Sequence, residues 1–441
     1  MKTSAIPGPP SDRLVGMSRA LRDDLLGTIR DGHNEYGDLV SYRVGPRALN
    51  RHIVAVHHPD NIAEVLNRPD LYGRQTASFS ALEEMFGENL VTTQGDTWKS
   101  QRRTLQPLFT PHRVKEYSQL MQEEAEKLLS EGYIKAGETA DIAPAMERFA
   151  LRVLGRTLFR NHQGVEEAIE VFERLVPLIG SRVRGRASSL IRPPLNSPAP
   201  SARRFKALRK ELYDTVDSIL AREVPQDPEG DLVGLIRTAV DPATGEHVSL
   251  QEVRNQALIF LVSGHTTTSN AITFTLYLLG RHPEIQEEIA RNGLTQKADT
   301  NRLDLVRASI QEAMRLYPSA YAISRTSSQD CTLAGHRISK GTGILVSAWI
   351  THRHPDFWVD PEKFNPARFT SPTERPRFAY FPFGGGPRSC IGEHFAMLEA
   401  MTVVRTVLRQ FRITSLDPDM PLAQLVSLRP AGPVRANWSP R

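Results

Sequence analysis

The residues between Ser249 and Pro283 set the scale of any fold this chain can adopt. Ser249-Leu-Gln-Glu252 is a capping box, in which a serine and a glutamate three residues on satisfy the orphan N–H groups of a helix start. Gly280-Arg-His-Pro283 supplies the stop, a glycine followed by a proline that cannot continue the helix. The spacing predicts one helix of about 30 residues, spanning about 45 Å at about 1.5 Å per residue. A helix of that length crosses a whole domain, so the other elements must pack around it. Leu258, Ile259, Leu261, Val262, Ile272, Leu276 and Leu279 assign most of its surface to the core. In its middle stands Ser263-Gly-His-Thr-Thr-Thr-Ser269, where Gly264 costs about 1 kcal/mol relative to alanine. The threonine hydroxyls there can bond carbonyls of the preceding turn, and a local widening of the helix is expected.

Helical spacing also runs from Pro107 to Arg160, as in Val114, Tyr117, Leu120 and Met121. Strand-like segments are short: 40–44, 53–56 and 343–346, the first two flanking a Gly-Pro-Arg turn that makes a hairpin. The fold class is therefore mainly α with a minor β portion. No repeat of 20 to 50 residues is visible. Residues that carry chemistry are spread from Trp98 to Cys390, so residues 1–441 are expected to form a single domain, with a Pro-rich segment at 1–12.

Near the C-terminal end, Phe383-Gly-Gly-Gly-Pro-Arg-Ser-Cys-Ile-Gly392 presents one thiol on a glycine-rich loop that runs into an apolar helical stretch from Phe395 to Leu408. A sulfur that is to ligate a metal as thiolate needs backbone N–H groups aimed at it and a helix N-terminus behind it. Glycines let the backbone come that close. Three further constellations accompany the loop. Glu312-Ala-Met-Arg315 puts a carboxylate and a guanidinium on one helix face, directly before Leu316-Tyr-Pro318, and Phe364-Asn-Pro-Ala-Arg-Phe369 follows about fifty residues on. Trp98 and Arg102 lie four apart in Asp96-Thr-Trp-Lys-Ser-Gln-Arg-Arg103 and share a face if that segment is helical.

Together these motifs resemble the cytochrome P450 family. Phe383, Gly386, Arg388, Cys390 and Gly392 match its haem-binding signature, and the resemblance covers essentially the whole chain. It implies the P450 fold, with the long central helix over a haem b, and a haem-thiolate monooxygenase that activates O2. Cys390 is then the iron ligand, and sulfur donation favours O–O cleavage. By the same resemblance Trp98, Arg102, Arg325, Phe383 and Arg388 contact the haem, and Glu312, Arg315 and Arg368 form a buried charge triad. Gly264, Thr266 and Thr267 lie where dioxygen sits beside the helix, with Thr267 handling protons. The family usually has Asp or Glu before that threonine, whereas here Thr266 has no ionisable proton, so protons must travel through water, through neighbouring threonines or through another group. His265 is expected to point away from Thr267, as a satisfied or solvated histidine.

Placed by analogy, the pocket walls are Phe79, Leu82, Met85 and Phe86, then Ser263 on the long helix. Ala320, Tyr321, Ala322 and Ile323 follow the Glu-Arg helix, and Val426 and Leu428 lie near the C-terminus. They are apolar or small, which suits a terpenoid, a fatty acid or a similar lipid-like compound.

Charge and composition narrow the partners. The formal charge is +5, but the basic excess gathers between Arg174 and Lys210, a stretch without Asp or Glu in which Phe205 is the one aromatic residue, so no stacking platform is interleaved with the charge. This argues for a basic Pro/Ser-rich loop over 180–203, a candidate lid, and against nucleic-acid binding. Two cysteines cannot form a disulfide framework once Cys390 is a ligand, and no run approaches a membrane span. A cytoplasmic, monomeric protein without a membrane span is expected. No glycine-rich dinucleotide fingerprint is present, so electrons are expected from a separate ferredoxin and ferredoxin reductase, with Lys99 and Arg103 as candidate docking charges. A peroxide-driven enzyme and a non-catalytic haem sensor or carrier stay open on the sequence.

Overall fold

The long helix runs from Leu250 to Arg281 without a break, and the Ser249 hydroxyl accepts the Glu252 N–H at 3.2 Å. These coordinates belong to a computed structural model that describes residues 5–159 except 50, 167–178 except 169, 173, 176 and 177, 200–222, 231–292, and 304–441 except 371–373. Residues 180–199 of the basic stretch lie outside the described residues; from Pro200 the chain is a helix, Pro200–Arg222, so 200–203 are its first turn and not loop. Among the described residues no helix is long and apolar enough to cross a membrane.

By internal contacts the chain forms two compact units. The first comprises Met1–Ala77, Gln311–Cys390 and Leu422–Arg429. It is built on a five-stranded sheet in the order Leu39–Val44, Arg51–Val56, Gly343–Val346, Ile323–Ser327, Tyr72–Gly73. The first two strands are the expected hairpin, with Val40 opposite Ala55. Arg51–Val56 then pairs in parallel with Gly343–Val346, Ile53 opposite Gly343, and the other pairs are antiparallel. Alternation along these strands turns Val54, Val56, Ile344 and Val346 into one core. The helix Pro59–Asn67 covers that core with Ile62, Val65 and Leu66, and Phe378 and Phe381, just upstream of the thiol loop, complete it.

The second unit comprises Ser78–Ile310, Ile391–Pro421 and Pro430–Arg441. The long helix is its axis, buried over most of its length. Ile142–Phe159 packs along it at a close crossing: a Cβ on Gly264 would stand 2.9 Å from a methyl of Leu154. Gly264 therefore has a packing reason to be glycine, in addition to any role at a site. Helices Ser118–Ser130 and Glu393–Gln410 and a three-stranded sheet of Thr139–Asp141, Arg435–Pro440 and Phe411–Ser415 complete this unit.

Candidate active site

The thiol loop is shaped before any ligand reaches it. The Cys390 amide donates to the Phe383 carbonyl at 2.9 Å, and Gly386–Arg388 forms a single 3-10 turn between them. Gly386 sits at φ +67°, and a Cβ there would lie 2.2 Å from the Leu66 carbonyl oxygen, so both the conformation and the close approach require glycine. The loop is thus pressed against the end of the Pro59–Asn67 helix while Cys390 itself remains exposed. Phe383 and Arg388 are half-buried. The helix Glu393–Gln410 begins three residues after the cysteine, and its N-cap, Gly392, offers no side-chain cap.

Upstream, the expected charge triad is present and fully satisfied. The Arg315 guanidinium donates to both Glu312 oxygens at 2.7 and 2.8 Å, and Arg368 Nε donates to Glu312 Oε1 at 3.1 Å. The Asn365 N–H adds a bond at 2.9 Å. Arg315 spends its other N–H groups on the carbonyls of His352, Pro361 and Lys363 and stacks over Trp358, as Arg375 does. Neither Glu312 nor the Arg315 side chain has any exposed surface.

His352, which the sequence reading missed, links this cluster to the loop. Its carbonyl accepts from Arg315, and its ring Nε2 accepts the Phe381 N–H at 2.9 Å. Burial first, then the charges of Arg315 and Arg353, push its pKa down to about 3, so the ring stays neutral and keeps that lone pair. A histidine three residues before a proline carries no sequence signal for such a role.

Arg325 is different. It is 3% exposed, its guanidinium donates to the neighbouring Ser324 carbonyl at 2.9 Å, and among the described residues no carboxylate pairs with it. Burial alone pushes its pKa down to about 10, which leaves it charged at neutral pH. A buried guanidinium without an anion fits a ligand that brings carboxylates of its own, as haem does. The donor set of the first unit, an exposed thiol on a preformed loop and a buried cation lacking an anion, therefore suits haem b.

In the second unit, Trp98 and Arg102 share a face of Gly95–Leu105, with Trp98 buried and Arg102 half-buried. On the opposite side of that helix, Arg103 pairs with Asp241 at 2.9 Å, and Ser100 also donates to Asp241; Arg103 and Ser100 pull the Asp241 carboxyl well below the usual range. Lys99 pairs with Asp96 at 2.8 Å. Both candidate docking charges thus form ion pairs within the protein while their side chains stay exposed.

Along the long helix the Thr267 hydroxyl donates to the Ser263 carbonyl at 2.6 Å, the back-bond expected of a mid-helix threonine. The residues stay helical throughout, so the expected widening is not seen. His265 is buried with its ring edge against Phe172, and burial lowers its pKa to about 4. It is a satisfied core histidine. Thr266 Oγ1 lies 3.4 Å from His265 Nδ1.

The candidate walls fall into separate groups. Phe79, Leu82, Met85 and Phe86 lie on Ala77–Phe86; Met85 and Phe86 are buried, and Arg209 and Tyr213 of the Pro200–Arg222 helix both donate to the Met85 carbonyl. Ser263 is exposed. In the first unit, Ala320, Tyr321, Ala322 and Ile323 are half-buried and adjoin the other C-terminal wall segment: Tyr321 donates to the Leu425 carbonyl at 2.8 Å and the Leu428 N–H to Ser319 at 2.9 Å. Val426 is exposed there, whereas Leu428 is fully buried and is core.

A family model described as Cytochrome P450 matches residues 7–435. Cyclooctat-9-en-7-ol 5-monooxygenase of Streptomyces melanosporofaciens is 30% identical over 86% of this chain and 83% of its own. Cyclooctatin synthase of the same organism is 28% identical over 92% and 89%. Pentalenene oxygenase of Streptomyces avermitilis is 28% identical over 87% and 86%.

Proposed function

The chain belongs to the cytochrome P450 family, a haem b monooxygenase, and from that premise we propose that it hydroxylates or otherwise oxidises a terpenoid or comparably apolar small molecule, with electrons from a ferredoxin and its reductase. For a hydroxylation the balance is R–H, O2, two electrons and two protons in, and R–OH and water out. Haem, when bound, supplies the redox chemistry. The chain supplies the rest. Cys390 is the residue to hold the iron, on a loop whose backbone is closed by Phe383 and seated by Gly386. Arg325 and Arg388, with Trp98 and Arg102, are the residues to hold the haem carboxylates, because guanidinium and indole N–H groups donate in the directions a carboxylate accepts.

Thr267 Oγ1 is the atom assigned to proton transfer. In its resting geometry the hydroxyl hydrogen points back to Ser263, leaving its lone pairs to receive a proton from water; passing one onward requires the hydroxyl to rotate off that carbonyl. Thr266 contributes no acid, and His265, neutral and packed on Phe172, is held out of the relay. Protons therefore arrive through water.

The observation that carries the substrate reading is the uncharged character of every candidate wall residue, from Phe79 to Leu428. The named activities of relatives on cyclooctatin and pentalenene skeletons support a polycyclic terpene. Binding difference spectra against cyclic terpene hydrocarbons, terpene alcohols and fatty acids test it, followed by turnover with ferredoxin, reductase and NAD(P)H. The expected result is tight binding and one added oxygen for a cyclic terpene. Preference for a charged or strongly polar compound would overturn the substrate class, and turnover with hydrogen peroxide alone at a comparable rate would overturn the electron source.

A further inference from the structure

Away from the residues assigned to haem and oxygen, the first unit gathers three imidazoles and a carboxylate. His33 lies in the last turn of the helix Leu25–Tyr36, Asp38 follows its Gly37 cap, His57 follows the strand Arg51–Val56, and His354 follows the short helix Ala348–Thr351. Asp38 Oδ1 lies 3.4 Å from His33 Nδ1 and 3.0 Å from His354 Nε2. One donor atom from each of these three residues lies within 4.8 Å of the other two, and among the described residues no other group of His, Cys, Asp or Glu converges in this way. His57 packs edge-on against His33, ring centroids 5.1 Å apart, and His33 is 5.2 Å from the His354 ring. His57 is fully buried, and among the described residues neither of its ring nitrogens has a hydrogen-bond partner. Buried polar atoms are nearly always satisfied, so this imidazole lacks something that would normally bind it.

We propose that His33, Asp38 and His354, with His57 as the fourth donor, form a structural site for a zinc ion. Imidazole nitrogen with one carboxylate oxygen and no sulfur is a donor set that zinc takes in four-coordinate geometry. With bonds of about 2.0–2.1 Å, tetrahedral donors stand about 3.3 Å apart. The 3.0 and 3.4 Å separations around Asp38 already fall at that spacing. His57, whose ring already packs on His33, would complete the set by turning toward it. The ion would join a helix end, a strand end and the segment two residues beyond His352, three pieces of chain that are distant in sequence.

Two protons must move for this to happen. His354 Nδ1 now accepts the Asp356 N–H at 3.2 Å, so Nε2 carries the ring proton toward Asp38. A metal at Nε2 shifts the proton to Nδ1, and the Asp356 carboxylate, now 3.9 Å away, becomes its acceptor once it closes to hydrogen-bond distance; this would be the carboxylate–histidine–metal arrangement that fixes a ligand's tautomer. The Asp356 N–H then gives up that bond. His33 Nδ1, 3.3 Å from the Gly37 carbonyl, likewise passes its proton to Nε2. Asp38, about one-third exposed, is the point of entry.

The test uses tag-free, haem-loaded protein stripped with a chelator, then titrated with Zn2+ against a chromophoric competitor. One zinc per chain is expected, with affinity more than tenfold weaker in His33→Gln and in Asp38→Asn while the Soret spectrum is unchanged. No uptake by the wild type at micromolar free Zn2+, or uptake that either variant retains undiminished, overturns the proposal. Zinc-edge X-ray absorption of the wild type decides the matter even if a variant fails to load haem. A nitrogen and oxygen shell with scattering from at least two imidazoles is expected; a sulfur-containing shell, or one without imidazole, contradicts it.

Discussion

Two buried arginines in the first unit show how differently one chain can treat the same charge. Arg315 has every N–H committed to Glu312 or to a carbonyl, and Arg368 closes the cluster. Arg325 is nearly as deep, yet its recorded bond goes only to the carbonyl next door. A buried ion pair that the protein balances itself is scaffold; a buried cation whose anion must come from outside is a seat. The contrast separates residues that make the fold from the residue proposed to hold a haem carboxylate.

The largest expected effect is on the self-balanced side. Glu312→Ala leaves Arg315 and Arg368 buried without their carboxylate, at a cost of about 3–5 kcal/mol, and Arg315→Ala strands Glu312 in the same way. Both variants should yield little haem-loaded protein, measured as haem per chain after purification. Wild-type loading in either would mean the cluster is dispensable. Arg325→Leu should behave in the opposite sense. Removing an unbalanced buried charge should leave the apoprotein at least as stable to urea, whereas losing a charge-assisted bond to a haem carboxylate, about 1.5–3 kcal/mol, should speed haem loss to a scavenging apoprotein about 10- to 100-fold. Destabilised apoprotein with unchanged haem retention would erase the distinction between the two arginines.

On the second unit, Thr267→Val should leave substrate binding intact while product formed per reductant consumed falls severalfold. Thr266→Glu, which restores an acid beside it, should raise that ratio; full coupling in the wild type with no gain in the variant would show that the missing acid does not matter. The smallest effect is on acid stability. His265 and His352 have folded pKa values near 4 and 3 against an unfolded value near 6.5, so the unfolded state binds their protons first. Stability is unaffected above about pH 6.5, falls as the pH drops below it, and levels off below the folded values. His265→Gln should flatten that fall by up to about 1.4 kcal/mol per pH unit between pH 6 and 4. An unchanged pH profile would mean that His265 is solvated.

What the sequence made legible was local chemistry. The long helix begins where Ser249 indicates and ends just before Pro283, because capping depends on residues within one turn; Gly280, read as the terminal glycine, lies inside the last turn and His282 is the cap. The hairpin at Leu39–Val56 and the Glu312–Arg315 pair were legible for the same reason. Arg368's place beside Glu312, 56 residues away, came only through the motif order of the family. What stayed hidden depended on distance. Arg103 finds Asp241 138 residues on, and His354 meets Asp38 across 316; neither pairing leaves a spacing to read. The isolation of Arg325 was equally invisible, because the lack of a partner is a property of the packed interior. Gly264, read as a residue beside oxygen, also seats Leu154, a contact that no helical periodicity reports.

Every proposed role depends on Cys390 being the iron's sulfur ligand, and the absorption of the reduced, carbon monoxide-bound protein tests that most directly. A thiolate opposite the gas gives a strongly red-shifted Soret band, expected for the wild type and lost in Cys390→Ser. A wild type without that band, or a serine variant that keeps it, would contradict the assignment and every role built on it.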